Sequence, residues 1–269
     1  MQPDILRQKL TDMLGIPKER VPLDPEPRGS FEWDGVIVEK WILTSEEGSR
    51  LPAVLYRPPT ADALMPSIVF TFGHGGSKSS ATYNLLGQMY ARLGVAALAI
   101  DPIGEEERHI RGETGTRAHD PKPVSDRADA AGRLIMGKLV YDTMRGVDWM
   151  CSRDDIDPSR LGVVGNSLGG AKASWMAALD TRLRMAIVSG WAYDEVNLRT
   201  KFCTRLPTER LLHLCGFGEF LSLAAPQCAV LIMNGDADVI IDHDGDGRAW
   251  RGTRAAVAVS YTHLTLPTN

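Results

Sequence analysis

The sequence predicts an α/β fold built on a mainly parallel β-sheet with helices on both faces, from three observations. Short apolar runs recur along the chain between turn residues, as expected of strands that are buried on both faces. Segments in which apolar residues have helical spacing lie between these runs. With 269 residues, of which 43% are hydrophobic and 24% charged, the chain can form a full core in one large domain or two small ones.

The first predicted elements are a helix and a pair of strands. Apolar residues at helical spacing in Leu6–Leu14 predict a short amphipathic helix, and prolines at positions 17, 22, 25 and 27 end it. The β-branched and apolar runs at 35–43 and 51–58, with the turn residues EEGSR between them, predict two strands. We expect residues 1–30 to form this helix and a Pro-rich lead-in, and the main domain to cover residues 31–259.

Further along the chain, predicted strands alternate with predicted helices, which is typical of a parallel sheet with crossover helices. The predicted strands are the runs at 67–72, 95–100, 161–164, 185–188 and 229–233. The predicted helices lie at 83–93, at 135–150, where Asp157 and Pro158 break the pattern, and directly after Ser167, and a polar, Gly-rich loop follows residue 100. The segment 190–226 is longer than a usual crossover, so it is either a cap over a site or a crossover helix with a long loop.

Composition and charge exclude several classes of function. The chain has 30 Lys and Arg against 34 Asp and Glu and no basic stripe, so we expect no nucleic-acid partner. No apolar run approaches the roughly 18 residues that span a bilayer, and no signal-peptide pattern opens the sequence, so we expect a cytoplasmic protein with no membrane partner. The four cysteines form no CxxC pair; we expect free thiols, with a Cys203–Cys215 disulfide as the alternative.

One motif carries chemistry. The residues GNSLG at 165–169 match the pattern G-x-S-x-G between a predicted strand and a predicted helix. In that context the serine lies on a sharp turn at the C-terminal end of the sheet, and small neighbours leave room for the turn. Ser167 is therefore the candidate nucleophile. The backbone N–H of Leu168, at the helix N-terminus, is the first candidate donor to the oxyanion formed during acyl transfer.

A second oxyanion donor is expected on an earlier loop. The run His74-Gly75-Gly76 directly follows the predicted strand at 67–72, where esterases carry a similar HGG element. We expect the N–H of Gly76 to be the second donor. We interpret His74 as structural, because the histidine of such a site follows the nucleophile along the chain.

A serine needs a base that an acid orients, and both should follow the nucleophile. Asp236 and Asp238 lie just past the predicted strand at 229–233. The spacing Gly-x-x-Asp and the reach into the loop favour Asp238 as the acid. Of the six histidines only His243 and His263 follow it; His243 is too near on the same loop, and His263 leaves little chain for the intervening helix and strand.

These residues resemble the α/β-hydrolase superfamily, and more narrowly its acetyl xylan esterase and dienelactone hydrolase-like branch. The matching stretches are GHGGSKSS, ALAIDPIGEEERH, YDTMRGVDWMCSRDDIDPSRLGVVGNSLGG and LAAPQCAVLIMNGDAD. The resemblance implies a serine carboxylesterase that uses no metal or organic cofactor and acts on an esterified small molecule or carbohydrate. A prolyl oligopeptidase-like peptidase is the alternative within this class, and a catalytically impaired or non-catalytic scaffold is the alternative outside it.

Three positions depart from family patterns. Related sequences tend to read DPIGQGER where this chain has DPIGEEER at 101–108, so Glu106 replaces a glycine near the site. Glucuronoyl esterases carry Arg where this chain has Leu168, which argues against that activity. Dienelactone hydrolases proper use a cysteine nucleophile, and Ser167 excludes that chemistry in its usual form.

The last residues, SYTHLTLPTN, resemble translated adapter sequence of the kind found at the ends of assembled environmental gene models. This resemblance predicts that residues 260–269 are a non-native tail and that the native last strand, helix and histidine are missing. The competing interpretation makes VAVSYTHLTL the last strand, with His263 as a displaced base. The nearby run DHDGDG at 242–247 matches half of a calcium loop, but Thr253 replaces its final Glu, so we expect a solvated turn and no metal.

Overall fold

The strands form one mixed sheet. The computed structural model describes residues 1–60, 63–117, 121–191 and 208–235, and these contain eight strands. In chain order they are β1 (Glu26–Trp33), β2 (Val36–Glu46), β3 (Ser49–Arg57), β4 (Met65–Thr71), β5 (Ala96–Ile100), β6 (Ile156–Asn166), β7 (Leu183–Ser189) and β8 (Ala229–Met233). Their order across the sheet is β1-β2-β3-β5-β4-β6-β7-β8. The pairs from β1 to β3 and between β3 and β5 are antiparallel, and every pair from β5 to β8 is parallel.

Helices cover both faces of this sheet. They are α1 (Pro3–Leu14), α2 (Ala81–Arg92), α3 (Lys122–Ala130), α4 (Ile135–Ser152), α5 (Leu168–Leu179), α6 (Thr208–Leu214) and α7 (Phe217–Ser222), with a short 3₁₀ turn at Glu106–Arg108. The larger core cluster joins one face of the sheet to α1, α4, α5 and α7, and a smaller cluster joins the other face to α2. The predicted α/β class and mainly parallel sheet are confirmed. Of the helices in the described part of the chain, none has the length and apolar composition needed to cross a bilayer.

The parallel half of the sheet matches the predicted strands because these strands are buried on both faces. All five residues of β5 are buried, and β4 has one partly exposed residue. In α1, Leu6, Leu10 and Leu14 are buried at the predicted helical spacing, and Gly15 ends the helix at a φ of 66°. A continuous apolar run and a one-sided stripe are both visible in sequence, so these elements were predictable.

Three elements differ from the predictions. β1 crosses the domain boundary that was expected after residue 30. It is an exposed edge strand with an irregular register near Pro27. An edge strand of this kind does not need alternating buried and exposed residues, so its sequence shows no strand pattern. The predicted Gly-rich loop after residue 100 contains α3, which has no fully buried residue and packs against the core only through the partly buried Val124 and Ala128. β6 begins at Ile156, so Pro158 lies inside a strand; a bulge before Leu161 accommodates it.

The segment 190–226 is described only from residue 208 onwards, together with residues 190 and 191. There α6 and α7 pack against the core, with Leu211 and Phe217 buried, and the ring of Phe220 is tilted against that of Trp175 with their centroids 4.5 Å apart. This part therefore belongs to the crossover between β7 and β8. Cys151 and Cys228 are free thiols, as predicted, while Cys203 lies outside the described residues.

Candidate active site

Ser167 alone makes the turn between β6 and α5. The strand ends at Asn166 and the helix begins at Leu168. The φ of 58° and ψ of −122° at Ser167 lie in a region that L-residues seldom adopt, at a cost of about 1–3 kcal/mol. The residue is exposed, and its hydroxyl makes no hydrogen bond within the described part of the chain. The turn thus presents a serine at the C-terminal edge of the parallel strands.

The glycines around Ser167 are required by close backbone contacts. A Cβ on Gly165 would lie 2.1 Å from Oγ1 of Thr71, and a Cβ on Gly169 would lie 2.0 Å from the carbonyl oxygen of Thr71. A Cβ on Gly170 would lie 2.3 Å from the carbonyl oxygen of Ser189. Thr71 also donates from Oγ1 to the carbonyl oxygen of Gly169 at 2.7 Å. The motif therefore allows β4, β6 and the start of α5 to pack in direct contact.

The end of β7 supports the turn from the other side. The N–H of Ser167 donates to the carbonyl oxygen of Ser189 at 2.9 Å, and Gly190, at a φ of +60°, packs against the side chain of Asn166. The N–H of Gly190 donates to the carbonyl oxygen of Met233 at 2.8 Å, which links the turn to the end of β8. Sequence reasoning missed Thr71, Ser189 and Gly190. The signal available was the pair of small residues directly after the apolar run at 185–188.

Leu168 and the loop after β4 both border the serine. The N–H of Leu168 is at the first position of α5, where no acceptor exists within the helix. Gly73 lies close to the turn, since a Cβ placed on it would be 3.0 Å from the carbonyl oxygen of Asn166 and 3.7 Å from Cβ of Ser167. The N–H of Gly76 donates to the carbonyl oxygen of Gly73 at 3.1 Å, so it is already engaged in a turn. The role of the Gly76 N–H as the second oxyanion donor stays a prediction.

The acid and the base of the predicted site fall outside the described residues. These residues are Asp236, Asp238, His243 and His263, and the run at 242–247 lies there too. Among the described histidines, His74 is half-buried in the loop after β4, and His109 accepts the N–H groups of Arg111 and Glu113 at Nδ1, each at 3.3 Å. The structure thus brings together the candidate nucleophile, one candidate oxyanion donor and the glycine loop, and leaves the acid and the base as predictions.

A cluster of charges lies beside the same loop. The ammonium of Lys78 is 2.7 Å from a carboxylate oxygen of each of Asp101, Glu106 and Glu107. Burial raises the pKa of Asp101 to about 6, and the hydrogen bonds from Lys78 only partly offset this effect. Burial also disfavours the charged form of Glu106, but hydrogen bonds from Lys78 and Ser79 hold its pKa below the usual range. The oxygens of the three carboxylates are close enough together to hold a metal ion, and here they surround the ammonium.

Helix α5 carries a buried cation one turn beyond the nucleophile. Lys172 is 3% exposed, and burial lowers its pKa to about 7, with Asp142 acting in the opposite direction. Because this pKa lies below the ordinary lysine value of 10.5, the buried amine costs progressively more stability as the pH falls from about 10.5 to about 7, and below that the cost is constant.

We therefore expect Lys172→Met to raise the thermal midpoint, and to raise it more at about pH 6 than at about pH 9. Thermal denaturation followed by circular dichroism at the two pH values measures both gains. Lys9→Met, at an exposed position of α1, is the control and should change the midpoint little. A loss of stability, or an equal gain at both pH values, would contradict the buried-amine interpretation.

Comparisons with known proteins give matches of three kinds. The family model for acetyl xylan esterase (AXE1) matches residues 21–193. YtaP of Bacillus subtilis (strain 168), whose name describes a hydrolase, is 29% identical over 192 residues, or 67% of this chain and 62% of YtaP. YuxL of the same organism, whose name describes a peptidase, is 27% identical over 169 residues, or 59% of this chain and 21% of YuxL. The chain thus spans less than two thirds of the length of these relatives.

Solved structures share the architecture. A structure from Bacteroides fragilis NCTC 9343, described as an acetyl xylan esterase, superposes with a TM-score of 0.73 at 19% identity and covers 96% of this chain and 72% of that one. Acetyl xylan esterase 1 from Thermoanaerobacterium sp. JW/SL YS485 gives a TM-score of 0.65 at 18% identity, covering 94% and 83%. At these identities the superpositions show a shared fold.

Proposed function

The chain belongs to the acetyl xylan esterase (AXE1) family, and from that premise we propose that it is a serine hydrolase of carboxylic esters, with acetylated carbohydrate as its substrate class. The observation that carries the proposal is the exposed Ser167 on the positive-φ turn between β6 and α5. The family match and the hydrolase name of YtaP support the general activity. The site supports the serine mechanism.

In the proposed mechanism, Oγ of Ser167 attacks the acyl carbon of the ester. The N–H of Leu168 stabilises the oxyanion of the tetrahedral intermediate, and Gly76 is the second donor once its N–H leaves the carbonyl oxygen of Gly73. A histidine takes the serine proton and passes it to the leaving alcohol. Asp238 orients that histidine, for which His263 is the candidate in chain order. Water, activated by the same histidine, then attacks the acyl-enzyme and releases the acid. These steps use side chains, backbone N–H groups and water.

The experiment that tests this function compares substrates of two classes. We expect the purified chain to release acetate from p-nitrophenyl acetate and from acetylated xylan, and to leave a proline-containing peptide anilide intact. Cleavage of the anilide in preference to both esters would replace the esterase proposal by the peptidase alternative, which the match to YuxL favours. Absence of turnover on all three substrates would favour the non-catalytic scaffold.

The acid is tested by matched substitutions of two aspartates that lie two positions apart in the sequence. We expect Asp238→Asn to lower kcat for ester hydrolysis by about 100-fold or more, because the histidine loses its orienting partner, while Asp236→Asn changes kcat little. Steady-state kinetics on p-nitrophenyl acetate measure both variants. The reverse pattern would transfer the role to Asp236. Small and equal changes in kcat for the two variants would show that neither Asp236 nor Asp238 is the acid.

A further inference from the structure

Lys78 connects the loop that follows β4 to the end of β5. Its backbone N–H donates to Oδ1 of Asp101 at 2.9 Å, and its ammonium donates to Oδ2 of the same carboxylate at 2.7 Å. Asp101 is fully buried and Lys78 is 8% exposed. One residue therefore satisfies both oxygens of a buried carboxylate. Removing a partner from a buried ion pair is costly, because the remaining charge has no compensation.

The loop after β5 binds the same ammonium from the other side. Glu106 accepts from Nζ of Lys78 at 2.7 Å and from Oγ of Ser79 at 2.7 Å, and Glu107 contacts the ammonium at 2.7 Å. Glu106 has a φ of 48°, a backbone conformation that non-glycine residues seldom adopt. A single cation thus faces three carboxylates, which would repel one another without it.

The loop held by Lys78 is the loop that borders the nucleophile. At its first residue, the N–H of Gly73 donates to the hydroxyl of Tyr83 at 3.2 Å, and Gly73 packs against the turn at Ser167. At its last residue, Lys78 binds Asp101. Between these ends, Gly75 has a φ of +71° and the N–H of Gly76 closes a local turn on the carbonyl oxygen of Gly73. The contacts at the two ends fix where this turn lies relative to Ser167.

We propose that Lys78 is a positioning residue for ester hydrolysis: it fixes the place of residues 73–78 beside the turn at Ser167, where the oxyanion forms. This inference rests on the proposed function and deepens it. Lys78 needs no contact with substrate, because it acts through the loop. The three carboxylates then serve to fix the ammonium, and the ammonium takes the place that a metal ion would occupy among them.

The primary test compares Lys78→Met with Lys40→Met. Lys40 lies on β2 over the ring of Phe31, at 5.5 Å from its centroid, and makes no ion pair with the loop, so it is the matched control. We expect Lys78→Met to lower kcat on p-nitrophenyl acetate and the rate of fluorophosphonate modification of Ser167 by about 10- to 100-fold, with KM changed by about twofold or less. Lys40→Met should match the wild type. Wild-type kcat and modification rate in Lys78→Met would overturn the proposal.

Chemical rescue separates positioning from general loss of packing. Lys78→Ala leaves the three carboxylates without their cation and opens a gap among them, which methylammonium or Ca²⁺ can fill. We expect either cation, added in the millimolar range, to recover part of the lost modification rate in Lys78→Ala and none in the wild type. Failure of both cations to raise the rate in a folded Lys78→Ala would overturn the role of the charge.

A second variant covers the case in which removal of Lys78 prevents folding. Glu106→Gly relieves the positive-φ strain, so it should fold, yet it removes one of the bonds that hold the ammonium. We expect slower modification of Ser167 together with faster amide hydrogen exchange in the peptide covering residues 72–80. Unchanged exchange would overturn the proposal even if the wild type hydrolyses no ester. If the fluorophosphonate does not modify Ser167 in the wild type, the proposed serine hydrolase function fails, and the exchange measurement still tests the role of Lys78.

Discussion

Replacing Ser167 with alanine is expected to lower kcat for ester hydrolysis by at least about 10³-fold while leaving the thermal midpoint nearly unchanged. The hydroxyl is the only proposed nucleophile, and without it no acyl-enzyme can form. The residue is exposed and its hydroxyl bonds to no described residue, so its removal creates no buried cavity and leaves no buried donor unsatisfied. Steady-state kinetics on p-nitrophenyl acetate and thermal denaturation measure the two effects.

Ser30→Ala provides the control for this substitution, because Ser30 is an exposed serine on β1, far along the sheet order from β6. It should leave kcat at the wild-type value. Wild-type kcat in Ser167→Ala would show that the turn carries no nucleophile. A large fall in the thermal midpoint would instead assign Ser167 a structural role.

A methyl group at Gly169 is expected to destabilise the protein strongly. It would lie 2.0 Å from the carbonyl oxygen of Thr71, and both groups belong to backbone that is fixed in α5 or β4. Overpacking of a core usually costs about 1–3 kcal/mol, and a clash with fixed backbone is expected at or above the upper end of this range. Chemical denaturation of Gly169→Ala measures the cost, and we expect a variant that is marginally folded or unfolded.

Gly94→Ala separates this clash from ordinary backbone strain. Gly94 has a φ of +80°, and a Cβ there would meet no atom within 4 Å, so the expected cost is about 1–2 kcal/mol from the left-handed conformation alone. If Gly169→Ala proves as stable as Gly94→Ala, the close packing of β4 against the nucleophile turn is not what requires glycine at this position.

The elements that were predictable from the sequence are those that are buried against neighbouring elements, because burial requires a recognisable pattern of apolar residues. β4 and β5 are covered on both faces and are continuous apolar runs, and α1 has a single buried stripe. β1 and α3 lie mostly at the surface, so little periodicity in their apolar residues marks them. Their positions follow from pairing and packing with residues far along the chain, which local spacing does not encode.

The candidate site divides in the same way. The turn at Ser167 was predictable because its sharp backbone needs small residues on both sides of the serine, and these form a five-residue motif in the sequence. The contacts of Thr71 and Ser189 with that turn join strands that are distant in sequence, so no local motif reveals them. The pair of Lys78 with Asp101 is of the same kind, although the departure at Glu106 from the family pattern did indicate an altered loop near the site. Asp238 and His263 remain predictions.

Fluorophosphonate modification followed by peptide mass mapping tests the central claim most directly, because it locates the nucleophile without depending on the acyl group or the alcohol. We expect a single added phosphonyl group on the peptide that contains Ser167, and no added group in Ser167→Ala. Modification at another serine, or equal modification of the wild type and Ser167→Ala, would contradict the role of Ser167 as the nucleophile.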